Sequence, residues 1–185
     1  MNEHLRSVFN VILPVLDLSN VKYWVFGGIA NAAFVGNFFR RNKDVDIFIL
    51  DKDFQHTKVI IEAIIKKNNW IRKDDNSIKD RPKFELKIDN EEIFSVIPVY
   101  KIDGKIELRL YKNIKRYPID ILNQTHRQLG GFDFYTPSDE YIKYIFIAYL
   151  ETRPDLRVRQ KEDAMKILTK EEFNKYFPKE SYKKI

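Results

Sequence analysis

The stretch from residue 23 to residue 50, YWVFGGIANAAFVGNFFRRNKDVDIFIL, puts two adjacent glycines behind one apolar run and two aspartates inside another. Residues 21 to 26 read as a strand that Gly27 and Gly28 end. The Ala-rich IANAAFVG that follows reads as a short buried helix closed by Gly36. DVDIFIL, 44 to 50, is a second strand. Successive strand side chains point to opposite faces, so Asp44 and Asp46 share one face while Val45 and Ile47 share the other. Two carboxylates side by side in a strand covered on both faces repel each other, and one takes up a proton unless a cation sits between them. A divalent metal is the economical remedy, because magnesium takes hard oxygen ligands and keeps positions for substrate phosphates. The plainer alternative is an edge strand whose aspartates face water. At Gly27 and Gly28 the missing side chains let backbone N–H groups approach an anion at a helix N-terminus, enough to hold a triphosphate; here the plainer alternative is a tight turn.

Outward from that stretch, apolar residues at Leu5, Val8, Phe9, Ile12, Val15 and Leu16 predict an amphipathic helix over 3–16. FQHTKVIIEAIIKKNN, 54 to 69, predicts a helix packing through Phe54, Ile61, Ile64 and Ile65, with Asp53 as its cap. From Trp70 to Phe134 short alternating runs (WIRK, KFELKI, EIFSVIPVY, KIELRL) alternate with turn signals, the pattern of antiparallel hairpins. TPSDEYIKYIFIAYLE predicts a buried helix with Thr136 as N-cap and Pro137 at the first helical position. A further helix follows Pro154, and another near 170 to 177 opens on a Thr169 to Glu172 capping box. The reading is an α/β (α+β) protein with a sheet domain over 1–136 and C-terminal helices over 137–185 packed on it as one compact unit.

With 185 residues, 44% hydrophobic and 32% charged, the chain has the composition of a globular protein with a real core, and no span suggests a membrane. The N-terminal apolar stretch is broken by Pro14 and Asp17 and reads as structure rather than as a targeting signal. The absence of cysteine excludes a thiolate nucleophile and Cys-ligated zinc, and suits a cytoplasmic setting. A net charge of +6 suits a phosphate-bearing partner, or simply solubility. His4, His56 and His126 are too scattered to form a ligand set, and no Walker motif occurs. Tyr111, Tyr117 and Tyr135 with Lys112, Lys115 and Arg116 offer a possible RNA-stacking strip.

Phe26-Gly27-Gly28 followed by Asp44-Val45-Asp46-Ile47 resembles the polymerase β-like nucleotidyltransferase superfamily, whose signature is an apolar residue, two small residues, a helix, then Asp-hydrophobic-Asp-hydrophobic. The longer spacing is similar to that of small lincosamide and aminoglycoside nucleotidyltransferases and of abortive-infection toxins. The resemblance implies a mixed, mostly antiparallel sheet flanked by helices. It implies Mg2+ or Mn2+ on Asp44 and Asp46, and a nucleoside triphosphate such as ATP on Gly27 and Gly28 with Arg40, Arg41 and Lys43 nearby. A nucleoside monophosphate then passes to the hydroxyl of a small molecule, protein or RNA, with release of pyrophosphate. A third carboxylate, general base or metal ligand in the family, is expected on a later strand; in FSVIP that place is held by Ser95, leaving Asp120 in YPIDIL, Glu85 in KFELKI, or no third acid at all. Lys143 and RQKED, with Arg159 and Asp163, are similar to a lysine and an Arg-Asp-x-x-Asp pattern of the toxin-type relatives, with Gln160 replacing the first acid, and the resemblance puts Lys143 among the nucleotide-binding residues; a snorkelling lysine and an exposed Arg159–Asp163 ion pair are the alternatives. The departures at Ser95 and Gln160 keep two other functions open, a nucleotide-sensing or interaction protein that has lost turnover and a tRNA-modifying toxin.

Overall fold

A computed structural model describes residues 2–75, 83–88, 91–110, 113–152 and 160–178. The N-terminal helical segment runs through a 3-10 turn (Glu3–Leu5), a π-helical stretch (Val8–Ile12) and α1 (Leu13–Leu18) rather than one regular helix. Pro14 explains the widening: it has no N–H to give the carbonyl four residues back, and the Leu13 N–H reaches Val8 instead. Strand β1 (Tyr23–Phe26), α2 (Gly27–Val35), β2 (Val45–Leu50) and α3 (Phe54–Asn68) follow in the expected order. Gly36 ends α2 at φ 87, a left-handed cap whose N–H returns to Ala32 and Ala33. Asp53 does not cap α3 with its side chain; a 3-10 turn over Asp51–Asp53 precedes the helix, and the Thr57 hydroxyl donates to the Asp53 carbonyl.

The region read as hairpins supplies β3 (Ile71–Asp75), β4 (Lys83–Ile88), β5 (Glu91–Ile102), β6 (Lys105–Leu110), β7 (Asn113–Pro118), β8 (Thr125–Leu129) and β9 (Phe132–Thr136). Seven strands form one sheet in the order β1-β2-β5-β4-β3, with β6 pairing β5 and β7 pairing β6; β8 and β9 form a separate hairpin. Within the described residues β2 and β5 run parallel and the other pairings are antiparallel, so the sheet is mixed and mostly antiparallel, as expected. Val45, Ile47 and Ile49 face a core shared with Leu5, Phe9 and Ile12 of the N-terminal segment and Phe54 and Ile61 of α3. Phe48 turns to a second core holding Trp24, Ile97, Ile106, Tyr117 and Ile145. Each fully buried aliphatic or aromatic side chain is worth about 1.5–3 kcal/mol, so these two apolar layers fix the strand's register and outweigh the cost of its aspartate.

Helices α4 (Asp139–Thr152), α5 (Lys161–Ile167) and α6 (Lys170–Tyr176) complete the described chain. They pack through Phe146, Leu150, Ala164 and Phe173 against Phe34 and Val35 of α2. Thr136 is not the cap of α4: it is drawn into β9 opposite Thr125, and the first helical hydrogen bond runs from Ile142 to the Ser138 carbonyl. The capping box at α6 is present, Thr169 and Glu172 each accepting from the other's backbone. No described helix is long and apolar enough to cross a membrane.

Candidate active site

The apolar run of β1 delivers the chain to Gly27, where φ is +67, a conformation that glycine adopts without strain. A Cβ on Gly27 would stand 3.0 Å from Asp46 Oδ2. This close approach follows from register, since Phe26 is paired with Asp46 across β1 and β2. A Cβ on Gly28 would stand 2.7 Å from Arg40 Nη2 and collide with Asn42 Oδ1. The two glycines therefore let a carboxylate approach the backbone closely on one side and a guanidinium and an amide on the other.

Asp44 lies just ahead of β2 rather than within it. It still acts on Asp46: burial first, then the Asp44 charge, pushes the Asp46 carboxyl up to about 7, while the Ser95 hydroxyl holds it down. Burial also raises Asp44, against the pull of Lys43 and Lys83. The Asp44 charge thus makes the ionised form of Asp46 costlier, the direction expected of neighbouring acids. Two carboxylates are a donor set that suits magnesium, which is commonly held by one or two acids plus substrate phosphates; among the described residues no cluster of three or more acids or histidines is arranged to hold a metal alone.

Ser95 is the direct partner of Asp46 across the parallel β2–β5 pair, and its hydroxyl donates to Asp46 Oδ1. Glu85 is in turn the direct partner of Ser95 across β4–β5. Asp46, Ser95 and Glu85 therefore stand in one row on one face, with the Glu85 backbone about 10 Å from that of Asp46 at the usual strand spacing. The β4–β5 register slips between Leu86 and Lys87, leaving Ile93 as an extra residue. That bulge re-aims Glu92, which pairs with Lys87 and so joins the face of Glu85. Lys83 Nζ sits 2.5 Å from Glu85 Oε1 and 3.9 Å from Glu92 Oε1. Burial works against its charge, yet Glu85, Asp46 and Glu92 together hold its pKa above the ordinary lysine range.

Asp120 is not strand-borne as its apolar flanks suggested. It lies exposed in a 3-10 turn over Ile119–Leu122 and accepts the Tyr141 hydroxyl at 2.5 Å. Tyr117 and Pro118 complete β7, and a proline ends the ladder, so the chain turns out of the sheet before Asp120.

The basic segment before Asp44 splits. Arg41 and Lys43 line an open cavity of about 500 Å³ with His4, Lys87, Glu91 and Glu92. Arg40 turns the other way, onto Asp163 of α5: its Nε donates to Oδ1 at 2.5 Å and its Nη2 to Oδ2 at 2.8 Å. Asp163 is therefore no surface partner of a neighbouring arginine; it is fully buried and also accepts Asn31 Nδ2 of α2 at 2.7 Å. Arg159, Tyr111 and Lys112 lie outside the described residues. Lys143 of α4 pairs with Glu172 of α6 at 2.8 Å. Tyr117 is buried against Tyr144, which leaves it unable to stack a base, and Lys115 and Arg116 approach Glu151 and Glu107. Residue patterns did not reveal Glu92, Lys83 or Asn31 as members of the site; Asn31 carried one signal, a polar residue inside an apolar helix, which needs a buried partner.

No protein-family model and no curated protein sequence matches the chain. Solved structures do. The lincosamide antibiotic adenylyltransferase LnuA, lincomycin-bound, superposes with a TM-score of 0.54 at 19% identity, covering 77% of this chain and 84% of that one. ANT(2")-Ia in complex with adenylyl-2"-tobramycin gives 0.59 at 17% identity, covering 92% of each chain. A candidate nucleotidyltransferase from Thermotoga maritima gives 0.55 at 19% identity, covering 88% of this chain and 96% of that one.

Proposed function

The chain has the nucleotidyltransferase fold, and from that premise we propose that it is an enzyme that moves a nucleoside monophosphate from a nucleoside triphosphate to a hydroxyl acceptor. The observation that carries the reading is the approach of Asp46 to the diglycine, with Oδ2 3.0 Å from where a Gly27 side chain would begin. Asp46, as the acid proposed to bind metal, would then lie beside the backbone proposed to receive phosphate at the N-terminus of α2, so that triphosphate and cation would be held together.

Asp44 and Asp46 would hold Mg2+ or Mn2+, which when bound neutralises charge on the triphosphate and on the departing pyrophosphate. Gly27 and Gly28 would receive the phosphates, and Arg40 would sit over them. The acceptor oxygen attacks the α-phosphorus, the bond from that phosphorus to the bridging oxygen breaks, and pyrophosphate leaves. Glu85, the acid brought into line with Asp46, would take the acceptor's proton after parting from Lys83. The cavity bounded by Arg41, Glu92 and Lys43, the residue before Asp44 in the chain, would receive the acceptor. A small-molecule hydroxyl is the acceptor class favoured, because LnuA was solved with lincomycin and ANT(2")-Ia with an adenylylated tobramycin.

A second reading, nucleotide sensing without turnover, is favoured by one feature: Ser95, which cannot act as a base, holds Asp46 where a third acid is expected. The experiment is incubation with each α-labelled triphosphate, Mg2+ or Mn2+ and a panel of polyhydroxylated small molecules, proteins and RNA. Label transfer with an equal yield of pyrophosphate, lost in Asp46→Asn, is the expected result. Metal-dependent binding with no transfer to any acceptor would leave the sensing reading in its place.

A further inference from the structure

Asp163 stands 123 residues from Arg40 in the chain, yet the two form a two-point ion pair in which the aspartate side chain is wholly buried and the arginine side chain 26% exposed. Three elements meet there: α5 supplies Asp163, α2 supplies Asn31, and the segment between α2 and β2 supplies Arg40. A guanidinium has five N–H groups; Asp163 takes two and the Arg41 carbonyl a third, at 3.2 Å. The remaining two belong to the terminal nitrogens, and one of those nitrogens, Nη2, lies 2.7 Å from where a Gly28 side chain would begin. Asn42 Oδ1, buried and without a hydrogen-bond partner, faces the same point.

The geometry points to Asp163 as a positioning residue that fixes the Arg40 guanidinium over the diglycine, so that its two spare N–H groups meet the outer phosphates of a nucleoside triphosphate. The inference rests on the nucleotidyltransferase reading and names a device within it. Stability alone is a poor reason for the pair, because apolar residues of similar volume commonly do as well in place of a buried ion pair. What the pair supplies is direction: an arginine on a segment without regular structure has many rotamers, and two parallel hydrogen bonds leave it one. Asn31 holds the carboxylate from the opposite side, so the C-terminal helices become part of the phosphate site instead of a separate cover.

The test measures, by calorimetry, the binding of each of the four nucleoside triphosphates with Mg2+, and of the matching monophosphates, to wild type, Asp163→Asn and the Arg40→Gln/Asp163→Asn double variant, with a melting curve for each. Asp163→Asn should weaken triphosphate binding by about tenfold or more while monophosphate binding changes by less than about twofold. The double variant replaces a charged pair with a neutral one of similar shape; it should regain melting temperature without regaining triphosphate affinity. A double variant that regains both makes the pair structural only and overturns the inference, as does a folded Asp163→Asn protein that binds triphosphate as tightly as wild type. A wild-type protein that binds no triphosphate removes the nucleotidyltransferase reading itself, and the inference falls with it.

Discussion

Ser95 and Asp46 are direct partners across the parallel β2–β5 pair, and the serine hydroxyl donates to the aspartate. The residue in the place of a third acid thus steadies the second, and the next carboxylate in the row is Glu85 on β4. If Glu85 takes the acceptor's proton, Glu85→Gln should lower the rate of nucleotidyl transfer by about 10²-fold or more while changing triphosphate affinity by no more than a few-fold. Single-turnover transfer and equilibrium binding on the same preparation check the split. Equal loss of both would assign Glu85 to binding instead.

Burial raises the cost of charging both Asp44 and Asp46, the Asp44 charge adds to it at Asp46, and a divalent cation would relieve it. Thermal melts at neutral pH should therefore show Asp46→Asn to be more stable than wild type without added metal. Mg2+ or Mn2+ should raise the melting temperature of the wild type and leave that of an Asp44→Asn/Asp46→Asn variant unmoved.

Gly27 and Gly36 both have positive φ, but a side chain on Gly27 would press on Asp46, whereas one on Gly36 would meet nothing within 4 Å. Substitution by alanine should cost stability at each, about 1–2 kcal/mol from backbone strain. Only Gly27→Ala should also weaken triphosphate binding. Denaturant titration and calorimetry of the two variants separate strain from site.

Far from the site, Arg109 and Arg116 hold the buried Glu107 carboxyl below its ordinary 4.5, with Arg109 making the larger contribution. A depressed acid stabilises the fold above its unfolded pKa and loses that contribution as pH falls through the folded value. Chemical denaturation from pH 7 downward should show a fall in stability below about pH 4.5, and this component should be absent in Glu107→Gln.

The elements around Gly27 and Asp46 were legible because their signals are local: a strand, two glycines, an Ala-rich helix and a second strand each follow from a few neighbouring residues. Glu85 was legible only as one candidate of several. Its alignment with Asp46 runs through Ser95 and two strand registers, and Glu92 joins it because Ile93 bulges; neither register nor bulge is written in any short window. Asp120 had the apolar flanks of a strand acid, but the proline before it turns the chain out of the sheet. Arg40 was read as one of three equivalent cations, and only the folded chain brings it to Asp163 and separates it from Arg41 and Lys43. Lys143, read with the nucleotide site, is paired to Glu172 between two C-terminal helices, a contact that also depends on long-range packing.

The most direct test of the central claim is a crystal structure with Mn2+ and a non-hydrolysable nucleoside triphosphate, the metal located by its anomalous signal. Manganese should lie on Asp44 and Asp46, phosphate oxygens on the backbone N–H groups at Gly27 and Gly28, and the Arg40 guanidinium in contact with the outer phosphates. A triphosphate bound elsewhere, or bound with no metal at the two aspartates, would contradict it.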